Sequence, residues 1–177
     1  MNKIVKLAVI LFAVSAIVAL CLGLVNSVTA ERIAAIAAEK LATAMSEVLP
    51  ADEYTDVEYT GGDQNVDFIK KAGDKGWVVQ CTVSGSQGSI TMLTGVAADG
   101  TVTGISVLDH GETPGLGAIA GAASAVGENW RAQFQGIPSA AVTKDGGQIE
   151  AISGAPITSR AICNGVTAAQ NAVKTVG

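Results

Sequence analysis

The chain has 177 residues, a formal net charge of −5, 49% hydrophobic residues of which few are aromatic, and 21 glycines. The acidic balance excludes a nucleic-acid binder, which needs a basic face to meet phosphates. A core this poor in aromatic rings has to be built from Val, Ile, Leu and Ala, and the chain beyond its apolar N-terminus is the size of one ordinary domain.

Leu7 to Val25 is a run of 19 residues without a charge. At about 1.5 Å per residue such a helix spans roughly 28 Å, close to the hydrocarbon core of a bilayer. Lys3 and Lys6 precede the run, whereas Glu31 and Arg32 follow it and nearly cancel. The positive-inside rule therefore expects residues 1–30 to be a membrane anchor with a cytoplasmic N-terminus and an exported remainder. Val28-Thr29-Ala30 also has the composition of a leader cleavage site, but the run is long for a leader, which favours a retained anchor.

Ile33, Ile36, Ala37, Leu41, Ala44, Met45 and Val48 recur at three- and four-residue steps. That spacing predicts an amphipathic helix over 31–48, closed by Pro50, so that 31–50 forms a stalk. Residues 51–177 then make up the exported domain. Residues 51–75 are polar and read as loop with room for one short strand. Trp77 to Val83 reads as a strand. Ile90 to Val96 and Thr101 to Leu108 flank Ala98-Asp99-Gly100, an Asp-Gly hairpin signal. The Ala-rich stretch 117–134, ending in Trp130, Gln133 and Phe134, reads as helix. Gly146-Gly147 reads as a turn, and Thr158 to Val176 as a helix with Ile162, Val166, Ala169 and Val173 on one face. The expected class is α+β: an antiparallel sheet with packed helices, preceded by one transmembrane helix and the amphipathic stalk.

Cys21, Cys81 and Cys163 have no C-x-x-C and no zinc or iron–sulfur spacing, so no metal site is expected; a Cys81–Cys163 disulfide stays open. Two segments carry candidate chemistry. The first, His110-Gly111-Glu112-Thr113-Pro114-Gly115-Leu116-Gly117, follows a strand and precedes a helix. Its Pro-Gly pair suits a tight turn that holds Glu112 and Thr113 at the strand's end, where a polar, anionic cofactor can be met. A surface turn with a solvated glutamate accounts for the same residues, and His110 alone reads as a polar loop residue. The second runs from Gly146 to Arg160. Its small residues allow close backbone approach, Ser153 is a candidate helix N-cap, and Pro156 suits the first helical turn. Free N–H groups there can meet a phosphate, although a capped helix without ligand fits equally well.

Together the two segments resemble the G subunit of the Rnf ferredoxin:NAD+ oxidoreductase and, more distantly, the C subunit of the sodium-pumping NADH:quinone reductase. The first matches the H-x-E-T-P-G-L-G signature. Ser153-Gly154-Ala155-Pro156-Ile157-Thr158-Ser159-Arg160 is similar to the D-x-x-(S/T)-G-A-T flavin-attachment motif with its following T-S-R and apolar helix. The resemblance extends to the anchor, the stalk and the Trp…Gln-Phe helix. It implies an FMN-carrying electron-transfer subunit of an ion-translocating membrane complex, with other membrane subunits as partners and a flavin transferase for maturation. It implies cofactor contacts at Glu112, Thr113, Gly115, Leu116, Ser153, Gly154, Ala155, Pro156, Ile157, Thr158 and Ser159. The chain contains no G-x-G-x-x-G, so NADH oxidation would belong to another subunit and the chain alone would have no turnover. A flavin-free scaffold of the same complex and an exported flavodomain of another reductase are the alternatives.

The sequence departs from the pattern where the family joins FMN to threonine by a phosphoester. The acceptor position is Pro156, and the leading Asp is Glu150. Thr158 is the nearest threonine and the first attachment candidate, ahead of Ser159 and Ser153, even though two residues along a helix is a turn of about 200°. FMN bound without a bond, FMN on a neighbouring hydroxyl, and no flavin all remain open.

Overall fold

The computed structural model describes residues 2–176; Met1 and Gly177, the ends of the expected ranges, lie outside the described residues. It divides into two units, Met1–Lys40 and Leu41–Gly177.

The first unit is helical and exposed along its length. It belongs to α1, Lys3–Val48, which contains a window of mean hydropathy 2.9, long and apolar enough to cross a membrane. The apolar stripe expected over 31–48 is buried only at its end. Ile33 and Ile36 are exposed, whereas Ala44, Met45 and Val48 are buried in the second unit.

In the second unit five strands form an antiparallel meander in chain order. They are β1 (Thr55–Val57), β2 (Val66–Lys71), β3 (Gly76–Ser84), β4 (Ser89–Ala97) and β5 (Val102–His110). The Asp99-Gly100 hairpin joins β4 to β5, with Gly100 at φ +86, a conformation that glycine adopts without steric cost. The stretch 51–75, expected to hold one strand at most, contains two. β2 is a polar-faced strand in which mainly Ile69 is buried, so it lacks the apolar alternation that marks a strand in sequence.

Side-chain alternation sends the two sheet faces to different partners. Val79, Cys81, Val83, Ile90 and Met92 face α3 (Pro156–Val176), whose Ile162, Val166, Ala169 and Val173 are all buried in that core. Val78 and Leu93 face the end of α1, where they pack with Ala44, Met45, Val48 and Leu49. The Thr103 hydroxyl donates to Val48 O at 2.5 Å and ties that helix end to β5.

The single helix expected over 117–134 is broken. A 3-10 turn covers Gly117–Gly121, and α2 runs Ala125–Ala132. The cause is local. Gly117 and Gly121 are poor helix formers, and Ser124, extended at φ −129 and ψ 156, accepts from Gly127 N as an N-cap and restarts the helix. Trp130 and Phe134 then meet edge to face at 5.2 Å, with Trp130 Nε1 donating to Glu150 O.

Cys81 and Cys163 are both free and buried. Burial, followed by the charges of Asp67 and Asp63, pushes the Cys81 thiol up to about 12; burial and then Asp145 push Cys163 up to about 12. Such thiols are inert in the folded unit. The pairing left open by the sequence is not formed.

Candidate functional site

Both motif segments fold back on themselves by the same device. In Thr113–Leu116 the Leu116 N–H donates to Thr113 O at 3.1 Å across Pro114 and Gly115; in Ile152–Ala155 the Ala155 N–H donates to Ile152 O at 2.9 Å across Ser153 and Gly154. The third residue of each turn is a glycine at φ +76, the position that demands a left-handed conformation when proline or its like precedes it. The two turns touch. A Cβ on Gly154 would stand 2.8 Å from Leu116 Cδ2.

The second turn delivers the chain into α3, which begins at Pro156. Proline is favoured there because it has no N–H to leave unsatisfied and its φ is already helical. The N-cap expected at Ser153 is therefore displaced: Ser153 is three residues ahead of the helix and exposed. Ser159 instead ties the preceding turn to the helix: its Oγ accepts from Ile152 N at 2.9 Å and donates to Ala155 O at 2.9 Å. The N–H groups of Ile157 and Thr158 come before the first backbone bond of the helix, Ser159 N to Ala155 O. Among the described residues they are the unsatisfied donors of its first turn.

Glu112 holds the site together. It is buried, and both of its oxygens are engaged. Oε1 accepts from Ser86 N at 2.7 Å and Gln87 N at 3.1 Å; Oε2 accepts from the Thr158 hydroxyl at 2.5 Å. Burial pushes the carboxyl up. The Thr158 hydroxyl, the Gln87 and Ser86 N–H groups and the His110 charge more than offset this, leaving it below its usual value. The surface-turn reading of a solvated glutamate is thereby overturned. His110 is the last residue of β5, not a loop residue; it packs beside Gly121, and its Nδ1 is buried without a partner among the described residues.

Around this brace lies a cavity of about 120 Å³. Glu112, Thr113, Leu116 and Gly117 form one wall. Gly154, Ala155, Pro156, Ile157 and Thr158 form the other, and Ser86 and Gln87 close the end. Of the expected contact residues, three lie elsewhere: Gly115 at the apex of its turn, Ser159 buried behind the helix, and Ser153 on a neighbouring cleft of about 370 Å³ walled by Trp130, Val126 and Ile152. A third cavity of about 150 Å³, beside Glu47 and Arg131, contains neither motif. The part played by Ser86 and Gln87 lies outside both motifs, although Ser84-Gly85-Ser86-Gln87-Gly88-Ser89 between two strands is a turn signal.

The model of the FMN-binding domain family matches residues 85–171, a span that begins at the β3–β4 turn and takes in both motifs. The chain is 34% identical to the G subunit of the ion-translocating oxidoreductase complex of Methanosarcina acetivorans, across 95% of this chain and 93% of that protein. The chain belongs to this G-subunit family. It is also 36% identical to the G subunit of the Na(+)-translocating ferredoxin:NAD(+) oxidoreductase complex of Acetobacterium woodii, across 91% and 87% of the two chains. With the Escherichia coli K12 family member the identity is 34%, over 80% and 77%.

The residues present fit FMN in part by size and in part by chemistry. A cavity of about 120 Å³ is below the roughly 300 Å³ that encloses a small ligand, so it suits a phosphate and its linker and leaves a ring system outside. Two free N–H groups at a helix start meet a phosphate well. At the mouth stand Leu116 and Ile157, two of the few large apolar side chains exposed in the second unit.

Proposed function

We propose that this chain is the FMN-carrying electron-transfer subunit of a membrane-bound ion-translocating ferredoxin:NAD+ oxidoreductase. The observation that carries the reading is the Thr158–Glu112 hydrogen bond. It spans 46 residues and joins the two motif segments at one cavity. The Ile157 and Thr158 N–H groups would hold the phosphate of FMN, with Gly154 and Ala155 leaving room for it. Leu116 and Ile157 would support the ring system, and Thr113 would offer its exposed hydroxyl. Bound flavin supplies a group that takes up and gives back electrons; the chain's residues hold it where partner subunits can approach. A flavin transferase serves maturation wherever the acceptor hydroxyl is present.

Thr113 gives the direct test. Its side chain is exposed, so Thr113→Val leaves the thermal midpoint nearly unchanged while FMN retention, read by titration of the purified protein, falls several-fold. A folded Thr113→Val protein with unaltered FMN retention would sink this placement. A correctly folded native chain that takes up no FMN would turn the reading to a flavin-free scaffold.

The anchor is the N-terminal part of α1, with Lys3 and Lys6 on the cytoplasmic side and the Leu41–Gly177 unit exported. Protease added to spheroplasts then digests that unit. Protection in spheroplasts with cleavage in inverted vesicles would reverse the orientation.

A further inference from the structure

The segment that resembles a flavin-attachment motif carries proline where the hydroxyl should be, and the structure shows what the other hydroxyls of that segment do instead; Ser86 and Thr113, which also line the cavity, lie on other loops outside it. Thr158 is fully buried, and its hydroxyl donates a hydrogen bond to the Glu112 carboxylate. Ser159 is fully buried, with its oxygen shared between Ile152 N and Ala155 O. Ser153 is exposed but lies on the Trp130 cleft rather than on the motif cavity.

The geometry points to a flavin carried without a covalent bond. This rests on the FMN-carrying reading above and adds that the cofactor is exchangeable. A phosphoester at Thr158 needs its oxygen to lose the proton and attack the flavin-side phosphate of a flavin dinucleotide, the transferase's donor, breaking the pyrophosphate bond and releasing the nucleoside monophosphate. Glu112 would then lose a donor and face a second negative group across a former hydrogen bond, buried where like charges repel most strongly. An ester at Ser159 would place the phosphate in the apolar core and release the Ile152 N–H that the loop depends on. Pro156, at the position of the family's acceptor, lies on the cavity wall and has no hydroxyl to offer. Glu112 thus keeps Thr158 occupied as well as bracing it.

The experiment uses the full chain, co-expressed with a flavin transferase, purified in detergent, supplied with FMN, freed of unbound FMN by gel filtration and then precipitated with acid. Flavin is expected in the supernatant, with a non-fluorescent pellet and no flavin-bearing peptide by mass mapping. Pro156→Thr, treated identically, is expected to give a fluorescent pellet with the adduct at the substituted position, and Pro156→Ser serves if that variant folds poorly. A flavin adduct on any residue of the native chain, Thr158 included, overturns the inference while leaving the FMN-carrying reading intact. A folded native chain with flavin in neither fraction overturns both. Substituted chains that fold and bind FMN but stay non-fluorescent after precipitation overturn the explanation that the missing hydroxyl at 156 is the cause.

Discussion

Replacing Glu112 by alanine is expected to lower the thermal midpoint of the folded unit by roughly 10 °C and to abolish FMN retention. The carboxylate accepts from Ser86 N, Gln87 N and the Thr158 hydroxyl, and thereby ties together the β3–β4 turn, the loop after β5 and the first turn of α3. Alanine leaves those donors unpaired beside a cavity, at a cost of about 3 kcal/mol. Glu112→Gln separates charge from connectivity. Its amide oxygen still accepts from the two N–H groups, and the Thr158 hydroxyl can turn round to accept from the amide nitrogen, so the cost falls to about 1 kcal/mol. The pH dependence differs too. The folded carboxyl lies below its usual 4.5, so its stabilisation is complete above about that value and is lost as pH falls through the lower, folded value. Thermal midpoints of the native chain should drop over that acid window, and those of Glu112→Gln should drop less. Equal acid sensitivity in both, or a Glu112→Ala protein with an unchanged midpoint, would mean that Glu112 does not brace the site.

The parts of this molecule that its sequence reveals are those with a periodic side-chain signal. Trp77–Val83 alternates because Val79, Cys81 and Val83 meet α3, whereas Gln80 and Thr82 on the other face bond to Asp67. Ile162, Val166, Ala169 and Val173 repeat because one side of α3 lies on the sheet. The Asp99-Gly100 turn is legible because only a residue without Cβ takes φ +86 cheaply. β2 escapes because its polar face hides the alternation, and the break at residues 122–124 escapes because Ser124 acts through one cap bond inside an Ala-rich run. At the site, the motifs name the segments but not the direction in which each group points. The Ser86 and Gln87 contribution is made by backbone N–H groups, which no residue type announces. Thr158 stands two residues after Pro156, a rotation of about 200° that predicts opposite faces; the structure has Pro156 exposed and Thr158 buried, yet both line the motif cavity. Only the structure adds that the buried hydroxyl lands on Glu112.

Gly115 and Gly117, both in the first motif, are expected to respond differently to an added methyl. At Gly115, φ is +76 and a Cβ would meet nothing within 4 Å, so Gly115→Ala carries only the left-handed penalty of about 1–2 kcal/mol. At Gly117 there is no such backbone demand, but a Cβ would overlap Glu112 Oε2 and stand 2.7 Å from Thr158 Oγ1. Neither atom can retreat, because Glu112 is held from its other oxygen by two N–H groups and Thr158 is fixed in α3. Gly117→Ala is therefore expected to cost roughly 1–3 kcal/mol by overpacking, a loss of stability comparable to that of Gly115→Ala. Its effect on the cofactor is expected to be quite different. The displaced methyl drives the Glu112–Thr158 pair apart and turns the first residues of α3 away from the cavity, so FMN affinity falls more than tenfold. Gly115→Ala changes a turn apex outside the cavity wall and keeps most of its FMN. Measuring the thermal midpoint and FMN affinity of both variants separates backbone strain from site geometry. Equal loss of FMN in the two would mean that the cofactor reads the fold of the loop as a whole, and that contact between Gly117, Glu112 and Thr158 does not set its affinity.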